Sequence, residues 1–385
     1  GTVEEEALLF GNEDNNSVSG DDLDTNANPF ATGFLTGGSL ASLVKAGADE
    51  NGTFSFAAIA GQKVLDSNGV PITSLGKQVY YAFNGDQLIG VADGRTIFTV
   101  NLIDLGATVD GLDGKLKDTF AFTLLDQIDH VDQNGVSTNP SGVASAEETR
   151  SIDLSSAIRF TDADGDSTGI APGSFQIKVI DDTPIQRQGV TVTGTVEEEE
   201  LPGGNEDASA TPDFDNDIDT FGVVLPTPLT NLTTAIATGD LAPLFNAGAD
   251  ASGIGATIIP PALFSTGGFK LGTAAGLPAL KSQNGDVLYD ITGNVLTGYV
   301  DSDGTAGYSA GDRKIFTLKV EADGKYTFTL LDQIDHSSIP GTSTENTQAI
   351  DFSSVIRFSD TDGDTVGLAP DSFSIRIIDD TSSLF

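Results

Sequence analysis

Asp162-Ala-Asp-Gly-Asp166 places three carboxylates at alternate positions of a short stretch, and Asp360-Thr-Asp-Gly-Asp364 does so again. Side chains at the first, third and fifth positions of a tight turn can converge, and Gly165 and Gly363 permit the sharp bend. Carboxylates about 5 Å apart repel by roughly 3 kcal/mol at an effective dielectric near 20. A hard cation removes that repulsion, and Ca2+ takes oxygen ligands at ~2.3–2.6 Å. Asp162, Asp164, Asp166, Asp360, Asp362 and Asp364 are therefore the leading candidate calcium ligands. The distant glutamate that completes an EF-hand loop is missing from both stretches. The competing reading is an Asx turn in water.

Two further acidic groups are candidates. Asp301-Ser-Asp-Gly304 offers Asp301 and Asp303 and reads equally as a hairpin turn. Asp181 and Asp182 precede Glu197, Glu198 and Glu199 closely enough in sequence for a cation to bridge Asp181, Asp182, Glu197 and Glu199. A solvated run of charge is the alternative. His130 and His336 are the only histidines, and each closes the sequence Leu-Leu-Asp-Gln-Ile-Asp-His. Zinc needs more nitrogen or sulfur ligands than that. A Ser-His-Asp site is conceivable with Asp126 or Asp129, but the flanking Leu124, Leu125 and Ile128 read as core. Asp129 and His130 are expected to lock a turn by hydrogen bonds. Neither a phosphate-binding loop nor a dinucleotide fingerprint occurs, and no Trp is present to stack a sugar. An enzyme is not expected.

These groups come in pairs because the chain repeats itself. Gly1-Thr-Val-Glu-Glu-Glu returns at Gly194, and Phe122-Thr-Leu-Leu-Asp-Gln-Ile-Asp-His130 returns unchanged as Phe328 to His336. A spacing of about 190 residues is that of a domain, too long for a solenoid unit. The expected organisation is a repeat over 1–184, a connector over 185–193 and a second repeat over 194–385. The connector is short and lacks a Gly/Ser-rich tether, so the repeats should follow each other with limited freedom.

The 57 acidic and 18 basic residues give a net charge of −39. That excludes nucleic acid as an ordinary partner and argues against anionic membrane surfaces. Apolar residues make up 38% of the chain and Phe is abundant, which disfavours disorder. Bound cation is the simplest source of the missing positive charge. Cys, Met and Trp are absent, so no disulfide and no thiol chemistry are available. That suits an oxidising exterior. No apolar run approaches the ~18 residues of a membrane span, and no signal peptide opens the sequence. Beginning inside a repeat motif, the chain reads as part of a longer polypeptide.

Within each repeat the pattern is mostly β. Segments 53–58, 78–83, 87–91, 96–102, 119–125, 152–160 and 174–180 alternate apolar and polar residues, as in Phe175, Ile177 and Val179 against Gln176 and Lys178. Asn-Gly and Asp-Gly turns separate them, at Ser67-Asn-Gly69, Asn84-Gly-Asp86 and Ala92-Asp-Gly94. Leu40, Leu43 and Val44 fall at helical spacing between Ser39 and Gly47, which predicts one short helix, matched over 240–248. The predicted fold is all-β: two tandem, enlarged immunoglobulin-like antiparallel β-sandwiches, each with a short helix. Differences between the repeats concentrate at 105–117 and 301–311, as hairpin loops allow.

The shared nonapeptide, Ile152-Asp-Leu-Ser-Ser-Ala-Ile-Arg-Phe160 leading into the Asp-x-Asp-Gly-Asp turn, Ala171-Pro-Gly-Ser-Phe175 and the closing Asp-Asp-Thr together carry a resemblance. They resemble the long tandem repeats of giant type I-secreted bacterial proteins, the repeats-in-toxin (RTX) adhesins and biofilm-associated surface proteins. The resemblance implies extracellular β-sandwich extenders stiffened by calcium at Asp162, Asp164 and Asp166 and at Asp360, Asp362 and Asp364. It also implies neighbouring repeats of the same polypeptide as partners. The glycine-rich nonapeptides of the family's secretion signal are absent, and the second repeat ends Asp379-Asp-Thr-Ser-Ser-Leu-Phe385 without the proline of the first. Two other classes stay open. One is a surface module gripping sugar or protein through a loop such as 105–117 or 298–313. The other is a subunit of a self-assembling surface layer or filament.

Overall fold

The computed structural model describes residues 1–8, 11, 33–36, 40–45, 52–103, 119–130, 148–204, 235–250, 267–336, 346–361 and 363–380. The first repeat supplies β1 (Thr2–Glu4), β2 (Gly33–Thr36), β3 (Thr53–Phe56), β4 (Thr73–Ser74), β5 (Lys77–Gln78), β6 (Tyr80–Asn84) and β7 (Gln87–Ala92). It continues with β8 (Arg95–Ile103), β9 (Thr119–Leu124), β10 (Thr149–Asp153), β11 (Ile158–Thr161), β12 (Ser167–Gly169) and β13 (Gln176–Ile180), and β14 (Ile185–Gln186) follows. The second supplies β15 (Val192–Glu197), β16 (Ala235–Asp240), β17 (Phe245–Asn246), β18 (Gly268–Leu271), β19 (Leu280–Ser282), β20 (Gly285–Thr292) and β21 (Val295–Val300). Its remaining strands are β22 (Arg313–Val320), β23 (Lys325–Leu330), β24 (Thr347–Asp351), β25 (Ile356–Ser359), β26 (Thr365–Gly367) and β27 (Phe373–Ile378).

The two repeats build the same all-β sandwich. In the first, the orders are β1-β13-β10, β2-β9-β8-β7-β6 and β12-β11-β3; in the second they are β15-β27-β24, β16-β23-β22-β21-β20-β19 and β18-β25-β26. Pairing is antiparallel except at the opening strands. β1 runs parallel to β13, with Glu4 opposite Ile180, and β15 runs parallel to β27, with Glu197 opposite Ile378. Each repeat closes over its own core. Phe98 stacks on Phe122 in one and Phe316 packs on Phe328 in the other, with ring centroids 5.3 and 5.2 Å apart.

Two predicted elements differ. The predicted helix is a single 3-10 turn, Leu40–Leu43, matched by Ala242–Leu244. In the second repeat the following Phe245–Asn246 pairs as a strand with Ile185–Gln186, which takes the residues a longer helix would need. The predicted strand 152–160 breaks into β10, a 3-10 turn at Ser155–Ala157, and β11. Asp153 Oδ1 accepts the Ser155 N–H and turns the chain from one sheet into another, and Asp351 does the same for Ser353. Apolar Leu154 and Ala157 stay buried through the turn, so the alternation hides the break. The expected turns do form. Asp93 and Gly94 both take positive φ (48° and 79°) between β7 and β8.

Residues 185–193, expected as a connector, are built onto the second repeat through the β14–β17 pair and the start of β15. The difference at 301–311 falls in the β21–β22 connection, and 105–117 lies outside the described residues. Among the described residues no helix is long and apolar enough to cross a membrane.

Both repeats place a bulge at a glycine, between Gly90 and Val91 and between Gly298 and Tyr299. The Phe98 ring lies over Gly90 and the Phe316 ring over Gly298, so an added Cβ would sit 2.3 or 2.6 Å from ring carbon. Gly90→Ala and Gly298→Ala should each overpack one core and cost about 1–3 kcal/mol, read as a lowered midpoint in urea unfolding. Unchanged midpoints would show that the rings move aside freely.

Candidate functional site: hairpin-tip aspartates and strand-end acid clusters

The Asp-x-Asp-Gly-Asp stretches form hairpin tips. Between β11 and β12, Asp162 Oδ1 accepts the N–H groups of Gly165 (3.1 Å) and Asp166 (2.7 Å), and the Asp162 N–H donates to the Asp166 carbonyl (2.9 Å). Gly165 takes φ +101° at the bend. One carboxylate oxygen from each of Asp162, Asp164 and Asp166 lies within 4.8 Å of the others. The Asp162 carboxyl is held below the ordinary carboxylate range, first by a hydrogen bond with the Asp164 carboxyl and then by backbone N–H groups. The second repeat repeats the geometry. Asp360 Oδ1 accepts from Gly363 (3.0 Å) and Asp364 (2.8 Å) between β25 and β26. Asp360 and Asp364 are buried there, while Asp362 lies outside the described residues.

The loop between β21 and β22 gathers Asp301, Asp303 and a residue the sequence reading missed, Asp312. Asp301 Oδ1 accepts from Asp303 (3.2 Å) and Gly304 (2.6 Å), and the Ser309 hydroxyl donates to Asp303 Oδ2 (2.7 Å). Asp312 accepts from Ser302 (2.9 Å) and Ser309 (2.7 Å). Hydroxyls, the Thr305 one first and then that of Ser309, hold the Asp303 carboxyl below its usual range.

The junction acids fall into two separate clusters. Register decides this: β1 beside β13 brings Glu5 to Asp181 within the first repeat, and β15 beside β27 brings Glu198 to Asp379 within the second. A cation bridging Asp181 and Asp182 to Glu197 and Glu199 is therefore corrected. The whole of β15, six residues at roughly 3.3 Å each, separates the two ends. What Asp182 does meet across the junction is a backbone donor. The Ala249 N–H of the second repeat donates to Asp182 Oδ2 (2.5 Å), and the turn Glu5–Ala7 lies against the turn Gly248–Asp250.

Each cluster contains a histidine. Glu5, His130 and Asp181 are all buried; Ile128 N–H donates to Glu5 Oε1 (2.8 Å), and His130 Nδ1 lies 3.2 Å from Asp181 Oδ1. In the second repeat Ile334 N–H donates to Glu198 Oε1 (2.7 Å), and His336 Nδ1 lies 3.4 Å from Asp379 Oδ1. His130 and His336 thus join the sheet's end to the last strand. Asp129 does lock a turn, the one between β4 and β5, where its Oδ2 accepts the Gly76 N–H (2.8 Å). In both repeats the imidazole Nε2 faces a strand carbonyl, Val179 at 3.3 Å and Ile377 at 3.2 Å. Nε2 must carry a hydrogen to donate there, and Nδ1 then faces carboxylate oxygens. Arginine fixes the approach: Arg95 pairs with Asp126, and Arg313 pairs with Asp332 (2.6 Å) while holding Ser282.

All-oxygen donor sets suit calcium, and imidazole nitrogen suits softer metals. The hairpin-tip aspartates fit a hard cation on that ground, as do Asp301, Asp303 and Asp312. At the junction, the acids Glu5 and Asp181 cluster with the imidazole of His130, and the nearby-in-sequence Gln127 side chain is fully buried and has no hydrogen-bond partner. Its equivalent Gln333 is exposed.

No protein-family model and no curated protein matches the chain. Among solved structures, mouse clustered PcdhgC3 EC1-3 aligns over 87% of this chain and 69% of its own, with 10% identity and a TM-score of 0.18. A likeness at that level carries nothing about fold or function.

Burial, above all, raises the Glu198 carboxyl from 4.5 to about 7; the Ile334 N–H and His336 oppose the rise and Asp379 and Asp380 add to it. The folded state therefore binds this proton more tightly than the unfolded chain does. Its stabilisation is complete below pH 4.5 and is lost as pH rises through about 7. In metal-free buffer the second repeat's melting temperature should fall across that window, and Glu198→Gln should flatten the slope. A wild-type profile already flat would show that the cluster holds no proton.

Proposed function

We propose that the chain is a pair of calcium-stiffened extender repeats from a secreted bacterial adhesin, an extracellular spacer that holds another part of its polypeptide away from the cell. The observation that carries this reading is the duplicated hairpin tip: Asp162, Asp164 and Asp166 cluster in the first repeat, and Asp360 and Asp364 build the same turn in the second. Asp162, Asp164 and Asp166, Asp360 with Asp362 and Asp364, and Asp301, Asp303 and Asp312 would hold calcium in the loops. Bound calcium supplies charge: it offsets part of the net −39 and pins loops whose carboxylates otherwise repel. The connector supports a spacer too, because its strand pairing to the second repeat limits bending.

A surface module that binds sugar or protein is the second reading. It is favoured by a shallow groove in the first repeat where the half-exposed Phe83 faces Phe56 beside Asn84, Gln87 and Asn101. Binding on a glycan array that Phe83→Ala abolishes would favour this reading over a spacer.

One calcium site at ten times its dissociation constant adds ~1.4 kcal/mol, or about 3–6 °C in melting temperature for a domain of this size. Millimolar calcium should raise the melting temperatures of both repeats by at least that much, and EGTA should reverse it. Asp162→Asn should blunt the response of the first repeat and Asp360→Asn that of the second. Melting curves and small-angle scattering that ignore calcium would overturn the proposal.

A further inference from the structure

The second repeat receives the connector in a groove, and the first repeat carries the same groove uncovered. In the second repeat, Ile185 and Gln186 pair antiparallel with Asn246 and Phe245, and the Arg187 N–H donates to the Leu244 carbonyl (2.8 Å). Gln186 is the lock. Its amide nitrogen donates to Ser372 Oγ (2.7 Å) and its amide oxygen accepts the Ala369 N–H (2.7 Å), with the side chain buried. The Val192 N–H then donates to the Ser372 carbonyl (2.9 Å), and Val190 and Val192 pack on the second core.

Sequence alignment of the repeats carries the receiving residues across. Ala369-Pro-Asp-Ser-Phe373 corresponds to Ala171-Pro-Gly-Ser-Phe175, and Leu244-Phe-Asn246 to Leu43-Val-Lys45. The exposure differs throughout. Thr365–Gly367 is buried and lies against Ile185–Gln186, whereas Ser167–Gly169 is exposed. Ser372 is buried and Ser174 exposed; Leu244 and Phe245 are buried, whereas Leu43 and Val44 are half-buried and Lys45 is exposed. The Ser174 hydroxyl donates to the Ala171 carbonyl of its own turn, from which it can rotate to meet an incoming amide.

We propose that this face of the first repeat, formed by Leu43–Lys45, Ser167–Gly169, Ala171 and Ser174, is a receiving groove for an extended segment of the connector type, supplied by another repeat. The occupant is defined by chemistry: two residues to pair along Val44–Lys45, the first apolar and the second glutamine, as in Ile185–Gln186. Backbone pairing gives affinity, and the glutamine gives selection, because both its amide functions must be matched in a buried place. The tail of this chain does not qualify. Aligned on its Asp379-Asp-Thr381, it presents Leu384 where Gln186 stands, so one copy of this chain offers its neighbour no such lock. The groove therefore selects among repeat ends. It discriminates connectors that carry the amide from those that do not.

The test uses the whole chain at millimolar calcium and a fluorescein-labelled peptide of residues 182–193, followed by anisotropy. Saturable binding of one peptide per chain is expected. The peptide with Gln186→Ala, and the chain with Ser174→Ala, should each bind at least about fivefold more weakly, the scale of one lost hydrogen bond. Ser174 is exposed, so its variant should keep the wild-type melting temperature, and a peptide of residues 376–385 should not compete. Equal binding of the Gln186→Ala peptide, competition by the 376–385 peptide, or no saturable binding up to millimolar peptide would each overturn the proposal. Two peptides per chain would mean that the second repeat's own connector is displaced, and would overturn the assignment to the first repeat alone.

Discussion

The parallel pairing of each opening strand with the last strand of its own repeat governs the rest of the structure. In an otherwise antiparallel sandwich, β1 beside β13 and β15 beside β27 run the same way. The chain therefore enters a repeat at one end and leaves at the other. Antiparallel pairing would return it to the side where it began, and successive repeats would fold back on each other. The same register delivers the acidic residues after β1 and β15 to the acids after β13 and β27, which concentrates buried carboxylate at the exit end of each repeat. Fold direction and charge placement are one decision, made by two short ladders.

That concentration of charge has a physical cost, met differently at different places. At the strand ends it is met by the neighbouring imidazole and by the N–H groups of Ile128 and Ile334. At the hairpin tips it is met by backbone N–H groups gathered around Asp162 and Asp360. The tip cluster of the first repeat contains only oxygen donors, whereas the strand-end clusters contain imidazole nitrogen as well.

The sequence disclosed what is local or duplicated. Strands with one wet face, such as Phe175 to Val179, and turns with glycine at positive φ, such as Asp93-Gly94, were legible because their causes lie within a few residues. The Asp162 and Asp360 turns were legible for the same reason. Glu5 with His130 and Asp181 was not, because strand register alone brings together residues so far apart in the chain. The one signal was indirect: the nonapeptide ending in His130 is preserved without change in a pair of repeats that differ widely elsewhere. Asp312 was missed because it closes its loop from the far side, beyond the Asp301-Ser-Asp-Gly304 stretch. The break at Ser155 was hidden by apolar residues that remain buried through the bend, so periodicity persisted while the hydrogen bonding changed sheets.

The opening and closing strands also fix how the molecule carries tension. Pulling on the two termini of a repeat drags β15 and β27 past each other along their length. The ladder from Val192–Phe373 to Glu197–Ile378 is then loaded in shear, and its bonds must yield together; unzipping would break them in turn. With no cysteine anywhere in the chain, that short ribbon and the core beneath it stand where a covalent tie would otherwise bear the force.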